Sequence, residues 1–142
     1  MPSNLHHAQE YIRRELNPEA LAGVTFVSTV EDAVRTAGLV IDCVPDELES
    51  KLEILWLLDR MAPPQAVFAT PTTNLSITDL AACTYRAGQC VAIAAEPAAL
   101  MQASVGRIEL RITEATNQET VALLEGFWSG LGISCSFCRE QG

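Results

Sequence analysis

The most constraining feature of this sequence is the unit over residues 39–61. It opens with six residues, Leu-Val-Ile-Asp-Cys-Val, half of them β-branched, that are closed by Pro45. A continuous apolar run of this length predicts a strand buried on both faces, the kind found in parallel sheets. Residues 47–61 then place Leu48, Leu52, Leu55 and Leu58 at three- and four-residue steps, and Pro63-Pro64 ends the pattern. That spacing predicts a helix with one apolar stripe. A strand that feeds such a helix returns to its sheet as a parallel neighbour.

The rest of the chain repeats this grammar. A helix is predicted over 5–16, stopped before Pro18, and a short strand over 24–28. A helix follows over 30–37, with Thr29 as its cap and Glu31 and Asp32 in its first turn, where the macrodipole favours acids. Strands are expected at 66–70 and 90–95, separated by a short helix over 77–83 that Ser76 caps. After a loop over 96–106, residues 107–113 alternate apolar with polar, which fits an edge or half-exposed strand. A last long helix at 117–130 and a closing strand at 133–139 complete the series. Strands alternating with helices through short turns predict an α/β fold, a mostly parallel sheet with helices on both faces. With 142 residues and no repeat or linker, the chain reads as a single domain over 1–142.

Composition narrows the function classes. A net charge of −9 opposes binding to nucleic acid or to an anionic membrane surface. The apolar runs fall far short of the roughly 20 residues that span a bilayer. The first residues are polar, without the apolar core of a secretion signal. Five cysteines, an odd number at irregular spacing, read as reduced thiols, so a cytoplasmic location is expected. Cys135 and Cys138 form a C-x-x-C, the spacing of a redox pair or of half a zinc site. They lie in a strand-like tail instead of opening a helix, and no second such motif accompanies them. The plainer reading is small apolar side chains. The adjacent His6 and His7 diverge by about 100° on a helix, which suits an exposed face better than a metal site. No metal is expected.

In an open α/β sheet the ligand lies beyond the carboxyl ends of the strands. Here those positions are residues 45–47, 71–74 and 95–97. A dinucleotide site also needs a Gly-rich turn whose backbone amides meet the pyrophosphate, and no G-x-G-x-x-G occurs. Gly126, Gly130 and Gly132 cluster at a helix end, where glycine serves as a C-cap.

Taken in order, these segments resemble the NAD-binding domain of the 3-hydroxyacyl-CoA dehydrogenase family. Residues 39–51 (LVIDCVPDELESK) look like that family's fourth strand and next helix. Residues 69–78 (ATPTTNLSIT) are similar to its "SNTSSL" loop, and 94–97 (AAEP) stand where "HFFNP" is expected. Residues 108–113 (IELRIT) match the strand carrying the family's glutamate. The resemblance covers about a hundred residues and implies an incomplete Rossmann-like sheet lacking the first βαβ unit. It implies NAD as cofactor, with Asp46, Lys51 and Thr73 at cofactor-contacting positions, and an acyl-CoA-type ligand. Thr73 stands at the serine that touches cofactor and substrate, and Glu109 at the glutamate that orients the catalytic histidine. Ile93 occupies the histidine's own place, and Glu96 that of the following asparagine. Without the Gly-rich loop, the main phosphate contacts to NAD are missing.

Taken alone, the same residues have plainer explanations. Asp46 suits a first helical turn, Lys51 reads as a solvated surface lysine, Thr73 as a turn hydroxyl, and Glu109 as a solvent-facing residue of an alternating strand. Isoleucine exchanges no proton, and losing a general base costs typically about 10²–10⁴-fold in rate. The first expectation is therefore a non-catalytic binding or assembly module of this family. The second is an NAD-dependent oxidoreductase completed by an N-terminal segment or a partner chain, and the third a thiol or metal protein using Cys135 and Cys138. Without its usual first-strand neighbour, the 39–44 strand, from Leu39 at one end to Val44 at the other, bares its edge. Either residues 24–28 pair with it, or a second copy or a separate partner chain does.

Overall fold

In the computed structural model, which describes residues 2–101 and 106–140, the unit at 39–61 is a strand, β1 (Leu39–Ile41), followed by a helix, α4 (Leu48–Met61). Three helices precede it: α1 (Pro2–Glu15), α2 (Pro18–Leu21) and α3 (Val30–Val34). After α4 come β2 (Val67–Pro71), α5 (Ile77–Ala81), β3 (Cys90–Ile93), β4 (Arg107–Ile112), α6 (Gln118–Gly130) and β5 (Ser134–Arg139). Short 3-10 turns at Ala87–Gln89 and Pro97–Met101 were not foreseen, nor was α2, which Asn17 caps through Ala20 N–H at 2.7 Å. The loop expected over 96–106 lies partly outside the described residues.

The strands form one sheet in the order β1-β2-β3-β4-β5. The first three are parallel, β4 runs against β3, and β5 is parallel to β4. Alternation along each strand divides the core in two. Phe68, Cys90 and Ala92 face Leu55 and Leu58 of α4 and Ile77 and Leu80 of α5. Val67, Ala69, Val91, Ile93, Ile108 and Leu110 face Leu124 and Trp128 of α6. Helices thus cover both faces, as the alternation of elements predicts.

The element ends obey local rules. Thr29 Oγ1 accepts from Asp32 N–H at 3.1 Å, and Ser76 Oγ from Asp79 N–H at 3.3 Å. Gly132 follows α6 with φ of 74°, a left-handed conformation natural to glycine. The Ile133 amide donates to Trp128 O and the Gly132 amide to Ser129 O, each at 2.9 Å, closing the helix with a Schellman turn. α4 ends instead on Arg86, whose guanidinium bonds the Asp59 carboxylate and the carbonyls of Asp59, Ala62, Pro63 and Ala66.

Two expectations are corrected. Residues 24–28 form no strand and pair with no edge. A short β-prone run becomes a strand only by entering a ladder, and this one has no partner. The run 39–44 is regular strand only over Leu39–Ile41, and all three residues are half-buried where full burial was expected. The reason is position: β2, with neighbours on both sides, is buried at every residue, whereas β1 ends the sheet. With Val67 N–H bonded to Gly38 O at 3.0 Å, the parallel ladder leaves the amides and carbonyls of Leu39 and Ile41 turned away from β2.

Candidate functional site

The carboxyl ends of β1 and β2 carry a polar cluster in two hydrogen-bonded parts, Lys51 with Asp42 and Asp46 with Thr72 and Thr73. Its innermost member is Lys51, the sole lysine of the chain, on the first turns of α4. Its side chain is 0% exposed, and Nζ donates to Asp42 Oδ1 at 2.7 Å, with the Asp42 side chain itself 5% exposed. The surface reading of Lys51 is overturned. It shares the apolar stripe of α4 with Leu55 and Leu58, so the helix that buries those leucines buries the lysine too.

Asp42 was not singled out in the sequence, although a carboxylate inside an apolar strand-like run is itself a signal, because a buried charge needs a partner. Val40 packs against the cluster containing Phe68, and alternation puts Asp42 on the same face. One step beyond the Ile41–Ala69 pairing, Asp42 lies level with Thr70. Thr70 is 1% exposed, and its Oγ1 has no hydrogen-bond partner, a property shared among the described residues only by Trp128 Nε1. An orphaned buried hydroxyl costs about 1–3 kcal/mol, so its presence at a strand end marks a place where stability is given up.

The outer part of the cluster joins the loops after β1 and β2. Asp46 accepts from Thr72 Oγ1 through one carboxylate oxygen, and from Thr73 N–H at 3.0 Å and Thr73 Oγ1 at 3.3 Å through the other. Thr72, fully buried and also missed in the sequence, accepts in turn from Leu75 N–H at 3.1 Å. Partial burial by itself raises the Asp46 carboxyl. The bonds from Thr72 and Thr73, aided by the Lys51 charge, outweigh it and hold the group below its ordinary value. The Cys43 thiol is pushed up, first by burial and then by Asp42, with Lys51 opposing. The lysine's charge is therefore felt at the mouth by both Cys43 and Asp46. The three residues matched to cofactor contacts, Asp46, Lys51 and Thr73, lie in one cluster.

The positions matched to the proton-transfer machinery do not come together. Ile93 is 0% exposed in the core facing α6, paired with Leu110. Glu109, one residue before Leu110, is exposed and takes the opposite face of the sheet; only its carbonyl reaches the β3 end, accepting from Ala94 N–H at 2.9 Å. Glu96 is exposed beyond β3.

The remaining candidates lie elsewhere. Cys135 packs into the core facing α6, whereas Cys138 is exposed; three residues apart on β5, they point to opposite faces. Both are free thiols, and among the described residues no group of three or more His, Cys, Asp or Glu is placed to hold a metal. His6 and His7 are exposed on α1, and His6 Nε2 lies 3.8 Å from Glu10. No described helix is long and apolar enough to cross a membrane.

A further carboxylate, that of Glu140, sits at the amino end of α5. Glu140 accepts from Ser76 Oγ at 2.9 Å, Ile77 N–H at 3.0 Å, Thr78 N–H at 2.9 Å and Thr78 Oγ1 at 2.7 Å. Burial opposes its ionisation, and these donors outweigh that and hold it below the usual glutamate value. They tie the end of β5 to α5.

As a donor set, the cluster suits a polyhydroxyl ligand such as a nucleotide ribose: Lys51 donates, Asp46 accepts, and the Thr70 and Thr73 hydroxyls do either. It supplies no phosphate cradle. Among the described glycines only Gly88 has a contact as close as 3.0 Å, and it faces Ala115 and Asn117 at the opposite strand ends.

Comparison with known proteins identifies the family of the chain. The profile of the family described as "3-hydroxyacyl-CoA dehydrogenase, NAD binding domain" matches residues 3–139. The chain is 28% identical over 127 residues to the mitochondrial hydroxyacyl-coenzyme A dehydrogenase of Sus scrofa, covering 89% of this chain and 39% of that protein. It is 31% identical over 121 residues to an L-carnitine dehydrogenase of Burkholderia mallei, covering 84% of this chain and 36% of the relative. Among solved structures it resembles a 3-hydroxyacyl-CoA dehydrogenase of Archaeoglobus fulgidus, with a TM-score of 0.76 and 24% identity over 96% of this chain and 46% of the other. The chain thus spans less than half the length of these relatives.

Proposed function

Because this chain belongs to the 3-hydroxyacyl-CoA dehydrogenase family through its NAD-binding domain, we propose that it is a dinucleotide-binding and assembly module that does not transfer hydride by itself. The observation carrying this reading is Ile93. At the β3 end, where the family resemblance expects a proton-exchanging histidine, a fully buried isoleucine joins the core. A hydroxyl or carbonyl brought there meets no group able to exchange a proton. Bound NAD supplies hydride chemistry. The chain's own share is to hold the ribose next to the nicotinamide with Lys51, Asp46 and Thr73, while an acyl-CoA-type ligand is the expected second molecule. The test is oxidation of NADH by a 3-oxoacyl-CoA with the purified chain. No turnover above the uncatalysed rate is expected, and steady turnover that follows chain concentration contradicts the proposal.

The open edge of β1 favours assembly. Leu39 and Ile41 present free backbone groups beside half-buried apolar side chains, and β1 carries no charge or proline to block pairing. A second copy of this chain is the partner proposed, and an enzyme completed by a different chain at this edge is the alternative. Light scattering at tens of micromolar checks the first: a dimer mass is expected, and a monomer mass counts against it.

A further inference from the structure

The Asp42–Lys51 pair has no evident structural need. A buried ion pair loses most of its Coulomb gain to desolvation, and apolar residues in its place are often as stable or more so. An ammonium has three N–H donors, and the one bond recorded for Lys51 Nζ goes to Asp42. On the same face, level with Asp42, lies the partnerless Thr70 hydroxyl. Two independent observations therefore point to unmet hydrogen-bonding capacity on one face at the carboxyl ends of β1 and β2, the ends that Asp46, Thr72 and Thr73 also join. The lysine is anchored by Asp42, and its charge favours ionisation of Asp46 and Cys43.

We propose that Asp42 is a positioning residue: it fixes the Lys51 ammonium so that its remaining donors, with the Thr70 hydroxyl beside them, form the buried floor that receives a ribose hydroxyl of the dinucleotide. This deepens the proposed function and rests on it. Asp42 touches no ligand; it acts through Lys51. A neutral residue at 42 leaves the ammonium unanchored. A purely structural role for Asp42 would instead change stability and leave ligand affinity alone once the chain is folded.

The experiment is an NADH titration of the full chain and of Asp42→Asn, Asp42→Glu, Lys51→Met and the Asp42→Asn/Lys51→Met double variant, which retains no unpaired charge should either single variant fold poorly. Loss of one charge-assisted contact lowers affinity about tenfold or more. That loss is expected for Asp42→Asn and for Lys51→Met, with the double variant no worse than Lys51→Met alone and with Asp42→Glu restoring most of the affinity. Wild-type affinity in Asp42→Asn, or losses that multiply in the double variant, overturns the proposal. Because the chain has one lysine, lysine labelled with ¹³C at Cε gives a single side-chain signal that reports on Lys51 directly. NADH that shifts backbone signals but leaves the Lys51 signal in place overturns the floor and spares the dinucleotide reading. NADH that shifts nothing at millimolar concentration overturns both.

Discussion

Two buried cations flank the same strand, and they are treated in opposite ways. At the amino end of β2, Arg86 spends all five N–H donors on one carboxylate and four carbonyls, and its guanidinium lies 4.6 Å from the Phe68 ring. At the carboxyl end, Lys51 is more deeply buried and shows a single bond, to Asp42. Arg86 answers a requirement of the backbone: the α4 end and the turn into β2 leave carbonyls without partners, and a planar fork of donors meets them. Lys51 answers no such requirement. A saturated buried charge serves the architecture, and an unsaturated one at the strand ends of an α/β sheet is what the proposed ligand site requires.

The largest expected effect breaks the Arg86 side. Arg86→Ala strands the buried Asp59 carboxylate and several carbonyls, and should cost about 3–5 kcal/mol in urea unfolding. A loss under about 1 kcal/mol would remove the distinction between the two cations. The matching change at the other end is Asp42→Leu with Lys51→Met. Replacing that pair by apolar residues should leave stability unchanged or raise it by about 1–4 kcal/mol, while NADH affinity falls about tenfold or more, as for Lys51→Met alone. A strongly destabilised double variant would place Lys51 in the same structural class as Arg86.

Much of the fold was legible in the sequence because its signals are local. Pro45, Pro63-Pro64 and the leucine spacing bound α4 to within a residue, and Thr29 and Ser76 cap helices as their side chains suggest. The missed features depend on pairing. Residues 24–28 have strand composition, but composition supplies no neighbour, and β1 is half-exposed because of where it falls in the sheet order. At the site, Asp46, Lys51 and Thr73 were found through family resemblance. Asp42, Thr70 and Thr72 were not, since their importance lies in contacts between residues 9 and 26 positions apart and in a missing partner. One residue-level clue was available: the chain's sole lysine sits on the apolar stripe of α4, three residues after Leu48 and four before Leu55.

Smaller effects refine the comparison away from the ion pairs. Glu140→Gln removes the charge from four hydrogen bonds at α5 and should cost about 1 kcal/mol near neutral pH. The sign of its pH dependence follows from the lowered folded-state value. The stabilisation is complete above the usual value of 4.5 and is lost as pH falls through the folded value, so the gap between wild type and variant should close on acidification. A gap that stays constant from pH 7 to pH 3 would show that the charge of Glu140 plays no part. The smallest effect is expected at Thr70→Val. Stability should hold or rise, because an orphaned hydroxyl is removed and the shape kept. NADH affinity should fall if that hydroxyl belongs to the floor, and thermal melts beside titrations separate the two.

The central claim is that the β1–β2 strand ends still hold a dinucleotide without a Gly-rich cradle. Calorimetric titration of the intact chain with NADH, run alongside Lys51→Met, tests it most directly. Saturable heat from the wild-type chain, weakened at least about tenfold by the substitution, is the predicted result. No heat at millimolar NADH, or equal binding by both proteins, would contradict it.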